Sequence, residues 1–126
     1  NDIVITLRGT LGSSAIFDCQ FETGFINAQI LIIRAEKVQV QYLHSLLSTQ
    51  PMLDHFSRIA TGAAVKQLTG KQIGALEISI PPLDLQQRFA EIVSTVEEQK
   101  AKMRKHLEQL DDLFASLQQR AFLGDL

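Results

Sequence analysis

The middle of the chain carries side chains suited to binding anions. Between positions 54 and 77 every charged side chain is basic, which gives this segment a local charge of three positive units. The basic residues there are Arg58, Lys66 and Lys71, and the neutral donors include Thr61, Gln67, Thr69 and Gln72. The turn Arg8-Gly9-Thr10 supplies a second, smaller set. Basic side chains position phosphates, while amides and hydroxyls read base edges.

These two segments predict a nucleic-acid surface. Its members are Arg8, Thr10, Lys66, Gln67 and Lys71, with Arg58 as a weaker phosphate contact. An ordinary solvated loop has a similar composition, and the sequence leaves that alternative open.

Residues for catalysis or metal binding are not indicated. The glycines at positions 9 and 12 lack the lysine of a phosphate-binding P-loop. Cys19 lies between Asp18 and Gln20, without a cation to lower its pKa, and is predicted to be an inert thiol. No metal-ligand spacing is formed by the three histidines, His44, His55 and His106. We therefore predict no catalytic residue, no metal site and no cofactor.

Composition limits the class of protein. The chain has 126 residues, a mass of 14.1 kDa and a net charge of −2. It is 45% hydrophobic, so it can form a core, but it is not a uniformly basic nucleic-acid binder. A single cysteine excludes an internal disulfide framework. No run approaches the ~18 apolar residues of a membrane span, and no export leader is evident, so we expect a cytoplasmic protein without membrane contact.

The start of the chain suggests a fragment. The first residue is Asn1 rather than Met, and a strand-like run begins two positions later. We expect that the chain was cut from a larger protein, and a trimmed tag is the alternative.

Short mixed elements precede Pro81-Pro82, where consecutive prolines interrupt regular structure. We predict strands at residues 3–7, 15–17, 26–34 and 76–80, with the third covered on both faces. Helical spacing occurs at 40–47 and resumes at 52–60 after Pro51. Thr69 and Gln72 have the spacing of a capping box. The fold class is therefore α+β, a small mixed sheet with short helices followed by one long helix of coiled-coil type.

That long helix is predicted over residues 85–123. Asp84 is the expected N-cap with Gln87 as its partner, Arg120 lies in the last turn, and Gly124 suits a left-handed cap. At 1.5 Å per residue the helix would be roughly 58 Å long. The preceding residues could form a globule only about 24 Å across. We therefore expect much of the helix to project or to be covered by another helix.

A wide apolar stripe runs along this helix in heptad positions. Two polar residues in it, Gln99 and His106, would disfavour slipped registers. Packing against the helix's own domain is one explanation, but only short helices precede it, so we predict a helix of another chain or repeat as partner. The predicted packing residues are Phe89, Ile92, Val96, Met103, Leu107, Leu110, Leu113, Phe114 and Leu117.

Several segments, in order, resemble one family. Residues 2–12 resemble its "GDILIT-x-x-GT-x-G" strand and turn, residues 27–30 its "NQ" strand entry, and residues 62–68 its "G-S-x-x-K-x-L" loop. Residues 78–86 resemble its "I-x-x-P-P-L-x-E-Q" boundary, and residues 113–124 the end of its conserved helix. The family is the specificity (S) subunit of type I restriction-modification enzymes. Departures include Asn1 for Gly, Leu85 for Glu and Leu123 for a polar residue.

The resemblance implies a function. An S subunit reads two halves of a split DNA site with two recognition domains, while two antiparallel helices set their spacing and dock the modification subunits. Residues 1–83 would be a recognition domain lacking its N-terminal part, and 84–126 the spacer helix. The implied partners are double-stranded DNA, the modification (methyltransferase) subunit and, through it, the restriction subunit. Two copies of the fragment could form an antiparallel homodimer through residues 85–123.

Two other functions stay open. The chain could be the recognition segment of a fused restriction-methyltransferase, whose Asn-Pro-Pro-aromatic motif is not found here because Pro81-Pro82 lies between Ile80 and Leu83. It could also be a truncated half-subunit that acts as a scaffold or decoy for modification subunits. The parental reading frame would decide the first, and a pull-down with modification subunits compared with DNA binding would decide the second.

Overall fold

The computed structural model describes residues 2–17 and 24–124, which form a three-stranded sheet and four helices. The predicted α+β class and long helix are confirmed. Cys19 lies outside the described residues. The chain divides into two compact units, Asn1–Ala90 and Glu91–Leu126. The elements are β1 (Asp2–Thr6), β2 (Ser14–Phe17), β3 (Ile30–Arg34), α1 (Val40–Leu47), α2 (Gln50–Ile59), α3 (Gly70–Gly74) and α4 (Leu83–Leu123).

Strand β1 lies in the centre of the sheet and pairs antiparallel with both β2 and β3. Ile3 and Ile5 alternate with more polar or exposed positions, and both are fully buried. Successive strand residues point to opposite faces, so these two isoleucines form the sheet's side of the core. The other buried hydrophobic residues are Leu43, Leu47, Phe56, Leu68 and Ile73.

The hairpin between β1 and β2 depends on Gly12. Its backbone N–H donates to the Thr6 carbonyl at 3.0 Å, and its φ is +76°. A side chain at this position would overlap the ring of the buried Phe56. The glycine therefore allows both the left-handed turn and the close approach of α2 to the turn.

Helices α1, α2 and α3 agree with the sequence patterns. Pro51 lies in the first turn of α2 rather than before it, a position where the missing N–H has no cost. The predicted capping box is present: Gln72 N–H donates to Thr69 Oγ1 at 3.2 Å, and Thr69 N–H donates to Gln72 Oε1 at 2.8 Å. Gln72 Nε2 also donates to the Ile59 carbonyl at 2.5 Å, which fastens α3 to the end of α2.

Two strand predictions need correction. The third strand is shorter than residues 26–34, and its residue Ile32 is 44% exposed, so the strand is covered on one face only. Residues 76–80 do not form a strand, although Leu76 and Ile78 pack against the core as their alternation suggested. Instead of a strand neighbour, the Ser79 carbonyl accepts a hydrogen bond from the Tyr42 hydroxyl at 2.9 Å.

The start of α4 also differs from the prediction. The Pro82 carbonyl accepts hydrogen bonds from the Leu85 and Gln86 N–H groups at 3.1 and 3.2 Å, so the helix begins at Leu83. Asp84 therefore lies inside the first turn and is not the N-cap, which contradicts the predicted pairing with Gln87. An acidic residue in the first turn still stabilises the helix, because it interacts favourably with the positive end of the helix dipole.

The buried residue in this first turn is Gln86, which is 2% exposed. Its Oε1 accepts from the Gln39 N–H at 2.8 Å, and its Nε2 donates to the Pro81 carbonyl at 2.7 Å. One turn later, the ring of Phe89 lies edge-on to Tyr42 with centroids 5.7 Å apart. The first two turns of α4 are thus joined to α1 and to the segment before the helix.

The second unit consists mainly of the rest of α4. The helix ends with Arg120 in its last turn and Gly124 at φ +79°, as the sequence predicts. The nine side chains predicted to pack against another helix are between 36% and 67% exposed. None of the helices in residues 2–17 and 24–124 is long and apolar enough to cross a membrane.

Candidate nucleic-acid interface

Leu7, the residue after β1, joins three distant segments through its backbone. Its N–H donates to the Gln29 carbonyl at 2.7 Å, and its carbonyl accepts from the Leu68 N–H at 2.8 Å. Leu68 is 3% exposed, so this junction is anchored in the core. The turn before β3, the end of β1 and the segment before α3 are therefore fixed beside one another.

The loop from Thr61 to Gln67 is closed at its base. The Thr61 N–H donates to the Gln67 carbonyl at 3.0 Å, and the Gln67 N–H donates to the Thr61 carbonyl at 2.8 Å. Gly62 has φ +126°, and a side chain there would overlap the Val65 carbonyl oxygen. The turn therefore requires glycine at position 62. The hydrogen bonds to Thr61 fix both the N–H and the carbonyl of Gln67.

Arg8 and Gln67 meet at this junction although 59 positions separate them. Arg8 Nη2 donates to Gln67 Oε1 at 2.5 Å, and the two residues also form an isolated β-bridge. Arg8 is exposed and Gln67 is half-buried. Both residues line a cleft of about 280 Å³, together with Leu7, Ala28, Gln29 and Leu68.

Gln29 belongs to this cleft but was not among the predicted DNA-facing residues. It is exposed, and its N–H is held by Asn27 Oδ1 at 2.9 Å. The signal that could have found it is the Asn27-Ala28-Gln29-Ile30 segment, which carried the family resemblance without being assigned a contact.

The remaining predicted residues lie elsewhere. Lys66 adjoins Gln67 in the chain, but its Nζ donates to the Ser57 carbonyl at 3.3 Å. Thr10 lines a separate cleft of about 300 Å³, and Lys71 is exposed on α3. Arg58 lines a third cleft, of about 530 Å³, and its Nε donates to the Asp54 carbonyl at 3.4 Å. Of the predicted set, Arg8 and Gln67 are therefore the pair that the structure brings into contact.

The partner of Arg8 is neutral, whereas that of Arg34 is charged. Arg34 donates from Nε to Asp2 Oδ1 at 3.0 Å and from Nη2 to Asp2 Oδ2 at 2.7 Å. This hydrogen-bonded ion pair lowers the pKa of Asp2 and raises the pKa of Arg34. The contact with Gln67 places no negative charge beside Arg8, so this contact does not offset the positive charge of the guanidinium.

Comparison with known proteins identifies the family. Residues 1–112 match the family described as "Type I restriction modification DNA specificity domain". The chain belongs to this family. It is also 30% identical, over 113 residues, to the type I restriction enzyme MjaIX specificity subunit of Methanocaldococcus jannaschii. That alignment covers 86% of this chain and 25% of the relative, so the chain spans about a quarter of the relative's length.

Membership in the specificity-domain family confirms the resemblance seen in the sequence motifs. The matched residues include every segment that lines the Arg8 cleft. In the part of the chain that the structure describes, no group of three His, Cys, Asp or Glu side chains is arranged to hold a metal ion.

Proposed function

We propose that this chain recognises a DNA sequence as part of a type I restriction-modification system and carries out no reaction itself. In this role it directs the modification and restriction subunits to one part of a split DNA site. It would do so in the cytoplasm. Membership in the specificity-domain family carries the proposal. The cleft supports it, because an exposed arginine and two glutamines line a single depression.

The proposed DNA-facing residues divide into two roles. Arg8 and Gln67 lie together in the cleft, with the hydrogen-bonding groups needed for base edges. Lys66 and Lys71 are exposed ammonium groups suited to phosphates, and Thr10 is an exposed hydroxyl of the hairpin turn. In this proposal residues 1–83 form the recognition part and residues 84–126 the spacer helix.

The salt dependence of DNA binding tests the phosphate contacts. Fluorescence anisotropy with a labelled pool of random duplexes would give the affinity of the chain across a series of salt concentrations. Replacing a lysine that neutralises one phosphate lowers the salt slope by about one unit. We expect this for Lys66→Ala and Lys71→Ala, but not for the control Lys102→Ala on the second unit. The proposal fails if the unaltered chain binds no duplex, and the two lysine assignments fail if all three variants keep the original slope.

We also propose that the apolar face of α4 packs against another helix, in an antiparallel homodimer of this chain or against the modification subunit. Exposed side chains such as Met103 at 67% and Leu110 at 61% support this, because water contact with so many apolar groups is unfavourable. Sedimentation at micromolar concentration should show a dimer for the unaltered chain. Leu110→Lys should yield a monomer, and Glu108→Lys, outside the stripe, should not. A monomeric unaltered chain would exclude the homodimer.

The direction of pairing needs a separate measurement. In a Cys19→Ser background, a donor dye on Ser94→Cys and an acceptor on Ser116→Cys would label opposite ends of α4. Mixing the two labelled populations brings donor and acceptor together in an antiparallel dimer. Stronger energy transfer between two Ser94→Cys populations would instead indicate parallel helices.

A further inference from the structure

The contact between Arg8 and Gln67 orients a cation. Gln67 is half-buried, and its backbone is held by two hydrogen bonds to Thr61. Its Oε1 takes one N–H of the Arg8 guanidinium, at 2.5 Å from Nη2. A guanidinium has five N–H donors in one plane, so fixing one of them leaves the other donors in a defined direction.

A contact to a base edge requires such a fixed direction more than a contact to a phosphate does. Guanine presents two neighbouring acceptors, O6 and N7, in the major groove, and a planar guanidinium can donate to both. A phosphate can also be bound by a lysine, which acts as a point charge, so a phosphate contact does not require a fixed planar set of donors. An arginine held by a neutral, anchored amide therefore suits a base better than the backbone.

The rest of the cleft suits neighbouring bases. Gln29 supplies an amide, which matches the donor and acceptor of adenine, and Ala28 supplies a methyl group, which matches that of thymine. Both residues stand at the turn whose Gln29 carbonyl is bound by the Leu7 N–H, directly before Arg8. The backbone thus fixes the spacing between the arginine and the second amide.

We propose that Arg8 reads a guanine of the DNA target and that Gln67 is a positioning residue for it. This inference rests on the proposed function. In it, Gln67 contributes to specificity by limiting the directions that the Arg8 guanidinium can take, rather than by supplying most of the binding energy.

Base preference is the property to measure. The duplex preferred by the unaltered chain would first be selected from a random pool, and its affinity compared with that of each single-base-pair variant. Arg8→Lys keeps the charge but replaces the rigid planar fork of donors by one flexible ammonium nitrogen, so the exchange is not conservative at a contact that needs a fixed pair of donors. We expect a loss of about 5- to 150-fold in preference at one G·C pair, while the affinity for unrelated duplexes changes by less than about 2-fold.

Variants of Gln67 separate positioning from folding. Gln67→Met has a similar volume but no acceptor, and should weaken the preference at the same G·C pair without changing the salt slope. Gln67→Glu restores an acceptor, and should keep more of that preference while lowering the affinity for all duplexes. The matched control is Arg34→Lys, which makes the same exchange at an arginine bound by Asp2 and should leave the base preferences unchanged.

The outcomes are distinct. If the unaltered chain binds DNA without base preference, the proposed function itself fails. If it has a preference that Arg8→Lys leaves intact, or if Arg8→Lys weakens all duplexes equally, only the guanine contact is overturned. If Arg8→Lys removes the preference but Gln67→Met does not, the positioning role of Gln67 is wrong.

Discussion

Gln86 is the residue whose replacement best tests how the first turns of α4 are held within the first unit. It is 2% exposed and makes two hydrogen bonds, one to the Gln39 N–H at 2.8 Å and one to the Pro81 carbonyl at 2.7 Å. Gln86→Met retains most of the side chain's volume but neither hydrogen bond. It therefore leaves a partly buried donor and a partly buried acceptor without a partner.

The expected destabilisation follows from these two groups. Each buried polar group that loses its partner costs about 1–3 kcal/mol, and both sites here are only partly buried. The sum is about 2–4 kcal/mol. With a urea dependence of roughly 2 kcal/mol per molar, in the middle of the usual range, the unfolding midpoint should fall by about 1–2 M.

Tyrosine fluorescence reports the unfolding of this unit. The sequence has one tyrosine, Tyr42, and no tryptophan, so intrinsic emission comes from a single site. Its hydroxyl donates to the Ser79 carbonyl, and its ring contacts Phe89. Both partners lie within a few positions of Leu83, where α4 begins. Unfolding should change its emission without interference from the rest of α4, which would dominate circular dichroism.

The adjacent residue supplies the control. Gln87 is exposed on the same turn, and Gln87→Met should change stability by no more than about 0.5 kcal/mol. A midpoint of Gln86→Met equal to that of the unaltered chain would refute the role assigned to Gln86. An equal loss in both would do so as well, because it would show an effect of methionine rather than of the two hydrogen bonds.

Two further predictions concern the sheet and its hairpin. Gly12→Ala should destabilise the chain by about 2–4 kcal/mol, because it adds contact with Phe56 to backbone strain, whereas Gly9→Ala at φ +80° has open space and should lose only about 1–2 kcal/mol in urea unfolding. In an NMR titration the pKa of Asp2 should lie below its ordinary value and rise in Arg34→Gln. Because this folded-state pKa is lowered, the pair's contribution to stability is present above the ordinary pKa and is lost as pH falls through the lowered one.

The parts of the fold that depend on neighbouring residues could be predicted from the sequence. The β-branched run at residues 3–7 predicted a strand, and β1 spans Asp2–Thr6. The spacing of Thr69 and Gln72 predicted a capping box, which depends only on one helical turn. Gly124 ended the long helix for an equally local reason.

The features that depend on distant residues could not be predicted in this way. Asp84 and Gln87 have the spacing of a capping pair, but the helix begins earlier because the Pro82 carbonyl accepts its first hydrogen bonds. The amide side chain that is buried there is Gln86. The Oε1 of Gln86 accepts a hydrogen bond from the N–H of Gln39, 47 positions earlier. The contact of Arg8 with Gln67 likewise joins residues that lie far apart in the sequence and meet only after folding.

Arg8 and Arg34 differ in the side chain that binds the guanidinium, and this difference supports the role that we propose for Arg8. Both are exposed arginines held by a side chain, but Asp2 cancels the charge of Arg34 and takes two of its donors. An approaching anion would have to compete with that carboxylate, whereas Arg8 forms no ion pair with a carboxylate in residues 2–17 and 24–124. Ordering an arginine side chain costs up to ~2 kcal/mol in conformational entropy. Because Gln67 already holds the guanidinium of Arg8, part of this entropy is lost before a ligand binds. A neutral partner thus orients the cation without weakening its attraction for nucleic acid, which is the combination that sequence readout requires.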